Sequence, residues 1–219
     1  MKELIRIELK KLSLKKEIRN LIVVNLVLPM LALPLILATG GAFENIHSLT
    51  AMFIQATFII WQSILISGLI VEEFKTKTMM QLYTYPIKRS SLIIAKIGLI
   101  FVIILVFSLI TSFVQHSLFT LLALFLPNMI YSLSISAILG IIVTTLASVL
   151  LAMMTLTVGM WMQSTVAPVV TAFVLTAIMG NFNGLTLANN LVFMVIMGAV
   201  GTGCVIISIR DILTNDLIV

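Results

Sequence analysis

Residues 97–126 read IGLIFVIILVFSLITSFVQHSLFTLLALFL, and no Asp, Glu, Lys or Arg occurs anywhere between Lys96 and Arg210. Water offers no stable place for a stretch of this kind. The hydrocarbon layer of a bilayer does: it is about 30 Å thick and takes about 20 apolar residues per helical crossing. The rest of the chain agrees. Of 219 residues, 61% are hydrophobic and 10% charged, whereas soluble domains run near 45–50% apolar and about 25% charged. No soluble fold of this size hides so much apolar surface. In lipid every backbone amide must be bonded internally, which for these runs means helices. The fold class is an all-α integral membrane protein.

Turn residues divide the remaining spans. The span holding the quoted stretch begins near Leu92 and is read as 92–115, with 117–126 either extending it or forming a re-entrant segment. Pro127 and Asn128 separate it from a fourth span at 133–159. Gln163 to Pro168 form a short loop before a fifth at 165–180. Asn181 to Gly184, with Asn189 and Asn190, bracket a loop before a sixth at 191–209. Earlier, 21–38 and 49–71 are the first two spans, parted by Thr39, Gly40 and Gly41. Pro29 and Pro34 lie inside the first; proline removes a backbone donor, which membranes tolerate where a neighbouring helix satisfies the freed carbonyl. The first apolar run is longer than the core of a signal peptide and reads as an uncleaved span. Residues 2–18 mix charge with Leu and Ile and predict an interfacial amphipathic helix, with Glu17 on its polar arc. The reading is one transmembrane domain, 1–219, of about six spans.

Charge orients it. Seven of the thirteen Lys and Arg lie in residues 2–19, five in 75–96 and one at Arg210. Such residues collect in cytoplasmic loops. With six spans all thirteen share one face, leaving Glu44, His47 and His116 toward the other. Both termini and the 72–91 loop are therefore expected in the cytoplasm of a multi-pass cell-membrane protein. The net charge of +5 sits beside apolar runs, as suits anionic lipid headgroups rather than nucleic acid.

Several kinds of chemistry are missing. There is no GxxxxGK[ST] phosphate cradle, and no HExxH or GxSxG motif. Cys204 is alone, so neither an intrachain disulfide nor a paired-thiolate metal site can form. His47 and His116 fall near outer ends of spans and lack partners for a metal. The span interiors carry no ionisable group of the kind that proton-coupled carriers keep at membrane depth. Polar side chains at that depth (Asn25, Gln55, Gln62, Ser63, Ser67, Ser108, Thr111, Ser112) read equally as a substrate path or as hydrogen-bonded helix contacts. Met153, Met154, Met160 and Met162 either meet an apolar ligand or fill gaps between helices.

The exception to the blandness is residues 72–89, EEFKTKTMMQLYTYPIKR, between two long spans. A short helix here sets Phe74, Thr78 and Leu82 on one face at i, i+4, i+8. Pro86 ends it, because the residue before proline is pushed out of helical geometry. Such a knob tied to two spans is either a lever for a cytoplasmic partner or an ordinary basic loop that sets topology.

This block resembles the membrane subunits of ABC-2 type exporters. Their second and third spans are joined by a segment reading roughly E-x-x-x-G-T, leucines, T-P-x-x-R and then a lysine entering the next span. Glu73, Thr78, Leu82, Pro86, Arg89 and Lys96 fit those positions. Lys77 stands where glycine is usual and Tyr85 where threonine precedes the proline. The resemblance implies a coupling helix in 72–91, with Glu72, Glu73, Phe74, Thr78, Leu82, Pro86, Lys88 and Arg89 at the contact. It further implies two cytoplasmic ABC ATPase subunits carrying ATP and Mg, no cofactor on this chain, and a second permease subunit, identical or different. Small relatives of this layout resemble permeases that export antimicrobial or amphipathic peptides from Gram-positive bacteria, phenol-soluble-modulin exporters among them. The polar path would then run by Asn25, Gln55, Gln62, Ser67 and Thr111. Two rivals stand beside this reading: a passive membrane immunity or binding protein, and a channel-like protein without an ATPase.

Overall fold

A computed structural model of the chain describes residues 14–38, 46–75, 89–125, 135–182 and 187–215. Among these, all regular structure is helical: α1 (Leu14–Ala38), α2 (Ile46–Ile66), a π-helical turn (Ser67–Val71), α3 (Glu72–Lys75), α4 (Arg89–Phe125), α5 (Ile135–Ala152), α6 (Met154–Met162), α7 (Ala167–Phe182) and α8 (Leu187–Asn215). Five stretches are long and apolar enough to cross a membrane: Lys15–Pro34, Leu49–Val71, Ile94–Phe125, Ile138–Met162 and Val192–Arg210. A sixth apolar helix, Ala167–Gly180, is shorter. The protein is an all-α integral membrane protein.

The second span is the hub. Half of its window is buried, against 17% for the first span, so α1 lies at the edge and α2 in the middle. The α2 helix touches α1, α4, α5, α6 and α7. Its Ile54, Phe58, Ile66, Ile70 and Val71 meet Ile97, Ile100 and Ile104 of α4 and Val149 and Leu156 beyond. Burying such a side chain is worth about 1.5–3 kcal/mol against water, but against lipid the driving force is close packing. The outward faces are as apolar as the core: Leu26, Met30, Leu124, Leu139 and Ile206 are all exposed.

At 37 residues, α4 is about 55 Å long, well beyond the hydrocarbon thickness, so it tilts or projects from the bilayer. It runs unbroken to Phe125, and residues 117–125 continue the helix of the third span. Its polar residues Ser108, Thr111, Ser112, Gln115 and His116 recur at i, i+3, i+4, i+7, i+8, and all five are buried. His116 thus lies inside the bundle, 3% exposed, and not at the outer end of a span where the sequence reading put it. Ending that span at residue 115 had cut the polar face short.

The beginning and the middle of the chain also differ from expectation. Residues 2–13 of the expected interfacial helix lie outside the described residues, and Leu14 to Ile18 run without interruption into the first span as α1. Glu17 is buried at 7% exposure, not on a solvated arc. The stretch read as one span, 133–159, is two helices in line, α5 and α6, meeting at Met153. There the Met153 N–H bonds the Leu150 carbonyl, only three residues back, at 3.2 Å.

Both interruptions are mended by a carboxamide from another helix. Pro29 has no N–H for the carbonyl four residues before it, Asn25 O; Gln115 Nε2 of α4 donates to that oxygen at 3.1 Å. The carbonyl four residues before Met153 is Val149 O, and Gln62 Nε2 of α2 donates to it at 3.1 Å. Small residues then let α8 close on α5. A Cβ added to Gly201 would lie 2.2 Å from Leu150 O, and one on Gly198 would lie 3.2 Å from Ala147 Cα. Only glycine permits so close an approach of backbones.

Candidate functional site

The foot of the second span gathers what the rest of the bundle lacks. Helix α2 ends in five residues of π-helix, Ser67–Val71, where the Glu72 N–H reaches back to Ser67 O. Such turns hold one residue more than the α-helix and recur at functional sites. One turn on, Glu73 forms an ion pair with Lys96 of α4, with side chains 14% and 3% exposed. Lys96 Nζ also lies 3.4 Å from Leu69 O, within the π turn. Two charges so buried are retained only when paired and hydrogen-bonded. Removing either alone strands the other. The pair therefore pins the first turn of the 72–91 segment to the base of α4.

Of the residues implicated in 72–91, Glu72 and Glu73 open α3, with Glu72 exposed and Glu73 half-buried. Phe74 lies in α3 and Arg89 begins α4. Thr78, Leu82, Pro86 and Lys88 lie outside the described residues, as do Lys77 and Tyr85.

Most of the polar residues at depth make hydrogen bonds within or between helices of the chain. Asn25 Nδ2 donates to Thr111 Oγ1 at 3.1 Å and to Leu21 O at 3.0 Å, joining α1 to α4. Gln62 Nε2 donates to Val149 O, while its Oε1 is buried without a hydrogen bond among the described residues. Ser63 bonds Ile60 O of its own helix. The Ser67 hydroxyl donates to Thr165 O in the turn between α6 and α7. Gln55 stands apart from these, beside a cavity of about 20 Å³ lined by Ser108, Ser112, His116, Thr145 and Ser148 among others. That is the space of about one water. The Gln55 Oε1 is buried without a hydrogen bond among the described residues, while Ser112 and Thr145 hydroxyls lie 3.4 Å apart.

Two buried groups were missed. Glu17 accepts a hydrogen bond from Trp61 Nε1 at 3.0 Å; Trp61 stacks on Phe58 at 5.5 Å and tilts against Phe107 at 5.8 Å. A carboxylate inside a spanning helix is costly and carries information, but a lone Glu amid surface-like charges gave no such signal. The His116 signal was present, in the helical spacing of its polar neighbours. Among the described residues no three His, Cys, Asp or Glu come together as metal ligands.

Residues 4–180 match the family model of the ABC-2 family transporter protein. An uncharacterized protein of Bacillus subtilis strain 168, YcbO, is 31% identical over 120 residues, covering 50% of this chain and 53% of the relative. The chain thus aligns with about half the length of that curated relative. No solved structure matches. The family match takes in α1 to α7 almost entirely, with the 72–91 segment and both members of the Glu73–Lys96 pair, and the chain belongs to the ABC-2 family of transporter proteins, membrane components of transport that are not themselves catalytic.

Proposed function

We propose that this chain is the membrane subunit of an ATP-driven exporter, powered by two separate cytoplasmic ABC ATPase subunits and paired with a second permease subunit. The observation that carries the reading is the Glu73–Lys96 pair, in which a buried lysine meets a half-buried carboxylate. A segment that transmits force must be fixed to what it moves, and the ion pair ties the start of 72–91 to α4 as well as to α2. A loop serving only topology has no need of buried charges, which cost several kcal/mol each to desolvate. The placement of Lys and Arg supports a cytoplasmic position for that segment and both termini, where an ATPase holding ATP and Mg can grip it.

The cargo is an amphipathic or antimicrobial peptide, and narrowest of all a phenol-soluble modulin. Support comes from the likeness to small peptide-export permeases and from a membrane domain whose outward faces are aliphatic. Purification from native membranes in mild detergent tests the assembly. A stoichiometric ATPase co-eluting with the chain is expected. Elution of the chain without an ATPase, bound only to peptide, would make it a passive immunity protein; ion leak through liposomes holding the chain alone would make it a channel. Alanine at Leu82 and Arg89 together, with the Glu73–Lys96 pair left in place, is expected to abolish export while the protein still reaches the membrane.

A further inference from the structure

The π-helical turn touches a part of the molecule that the function above does not use: the uncharged turn Gln163–Val166 between α6 and α7. Ser67 donates its hydroxyl to Thr165 O across that contact. Below it, Val71 and Pro168 close on Gly159 of α6. A Cβ on Gly159 would lie 2.5 Å from Pro168 Cγ and 2.9 Å from Val71 Cγ2. Gln163 is held left-handed at φ 45°, its N–H closing α6 on Met160 O at 3.3 Å. A side-chain-bearing residue visits this region at a cost of about 1–2 kcal/mol, so the turn is held in shape by its surroundings. On the opposite side of the π turn, Lys96 reaches Leu69 O while paired with Glu73.

One short stretch of α2 thus meets the base of α4 on one flank and the α6–α7 turn on the other, immediately before α3. We propose that Ser67–Val71 and Gln163–Val166 form the joint through which a displacement of the 72–91 segment reaches α6 and α7, with Ser67 and Gly159 as its positioning residues. This rests on the transporter reading and adds the route the movement takes. The physical reason is the π turn itself. Absorbing its extra residue into α-helix turns everything beyond it by about 100° and moves it about 1.5 Å along the axis. The contacts on the α6–α7 side suit such a shift: one hydroxyl–carbonyl bond that can exchange, and a van der Waals seat over a glycine.

The test uses the intact complex of permease and ATPase in lipid nanodiscs, with Cys204→Ala, Ser67→Cys and Thr165→Cys. Co-elution of the ATPase, scored first, tests the transporter reading, so the two ideas fail separately. On oxidation the cysteines should cross-link, and ATP turnover should fall by about fivefold or more, the scale of ordinary coupling between sites; reductant should restore it in the same sample. The Cys204→Ala parent, oxidised in the same way, should keep full turnover. Gly159→Ala, needing no cross-link, should lower turnover at equal membrane abundance, whereas Gly203→Ala, with nothing within 4 Å, should not. Full turnover in the cross-linked Ser67/Thr165 variant, or wild-type turnover in Gly159→Ala, would overturn the proposal.

Discussion

The foot of α2 and the seam between α5 and α8 are both tightly packed, yet they are held by opposite means. At the seam, Gly198 and Gly201 let α8 lie directly on the backbone of Ala147 and Leu150. Close packing of backbone on backbone holds it, and any slide of one helix past the other drives atoms together. At the foot, a buried ion pair, a hydroxyl on a carbonyl and a π-helical turn share the load. These are bonds that can be exchanged for others, at a geometry other than the helical optimum. The difference suggests a bundle with a rigid half and a half able to take up a second arrangement.

The comparison can be broken most forcefully at Lys96. Lys96→Met strands Glu73 and is expected to cost about 3–5 kcal/mol, seen as early thermal unfolding of the purified protein in detergent. The double variant Glu73→Gln with Lys96→Met removes both charges and should recover most of that loss. Unfolding of the single variant at the wild-type temperature would mean that the pair carries no weight. At the seam, Gly201→Ala sets a methyl against Leu150 O and should cost about 1–3 kcal/mol, with no partner substitution able to rescue it, because the clash is with backbone.

A subtler effect concerns the mended carbonyls. Gln115→Leu leaves Asn25 O without its side-chain donor and should cost about 1–3 kcal/mol. The same substitution should be nearly harmless when Pro29→Ala returns an N–H to the ladder. Equal costs in both backgrounds would show that Gln115 matters for packing and not for that oxygen. Smallest of all is Ser67→Ala, worth about 0.6 kcal/mol on the scale of hydrogen bonds between membrane helices. It should barely shift the melting temperature. An exchangeable bond is expected to behave so.

How much of this was legible in the sequence follows from the length scale of each signal. Spans show as runs of apolar residues, and the need for a partner at Pro29 was readable from the missing N–H. The polar face of α4 is written in its spacing, though the helix had to be followed past residue 115 to find His116. Glu73 and Lys96 were each singled out by resemblance, but their union spans 23 positions and depends on how α2 and α4 lean together. The π turn has no compositional mark: Ser67 to Val71 would serve equally well in an α-helix. Met153 breaks its helix without proline or an exposed polar residue, and the glycines beneath α5 are read only when α8 is in place. Glu17 was misjudged because its neighbours are charged, while its own side chain is turned onto Trp61.

In the proposed exporter the 72–91 segment faces the cytoplasm, within reach of a nucleotide-driven partner. Leu82→Cys, in a Cys204→Ala background, can be probed with a membrane-impermeant thiol reagent in intact cells and in inside-out vesicles. Labelling is expected only in the vesicles, and the bound ATPase should shield it. Labelling in intact cells would place the segment on the outer surface and contradict the account.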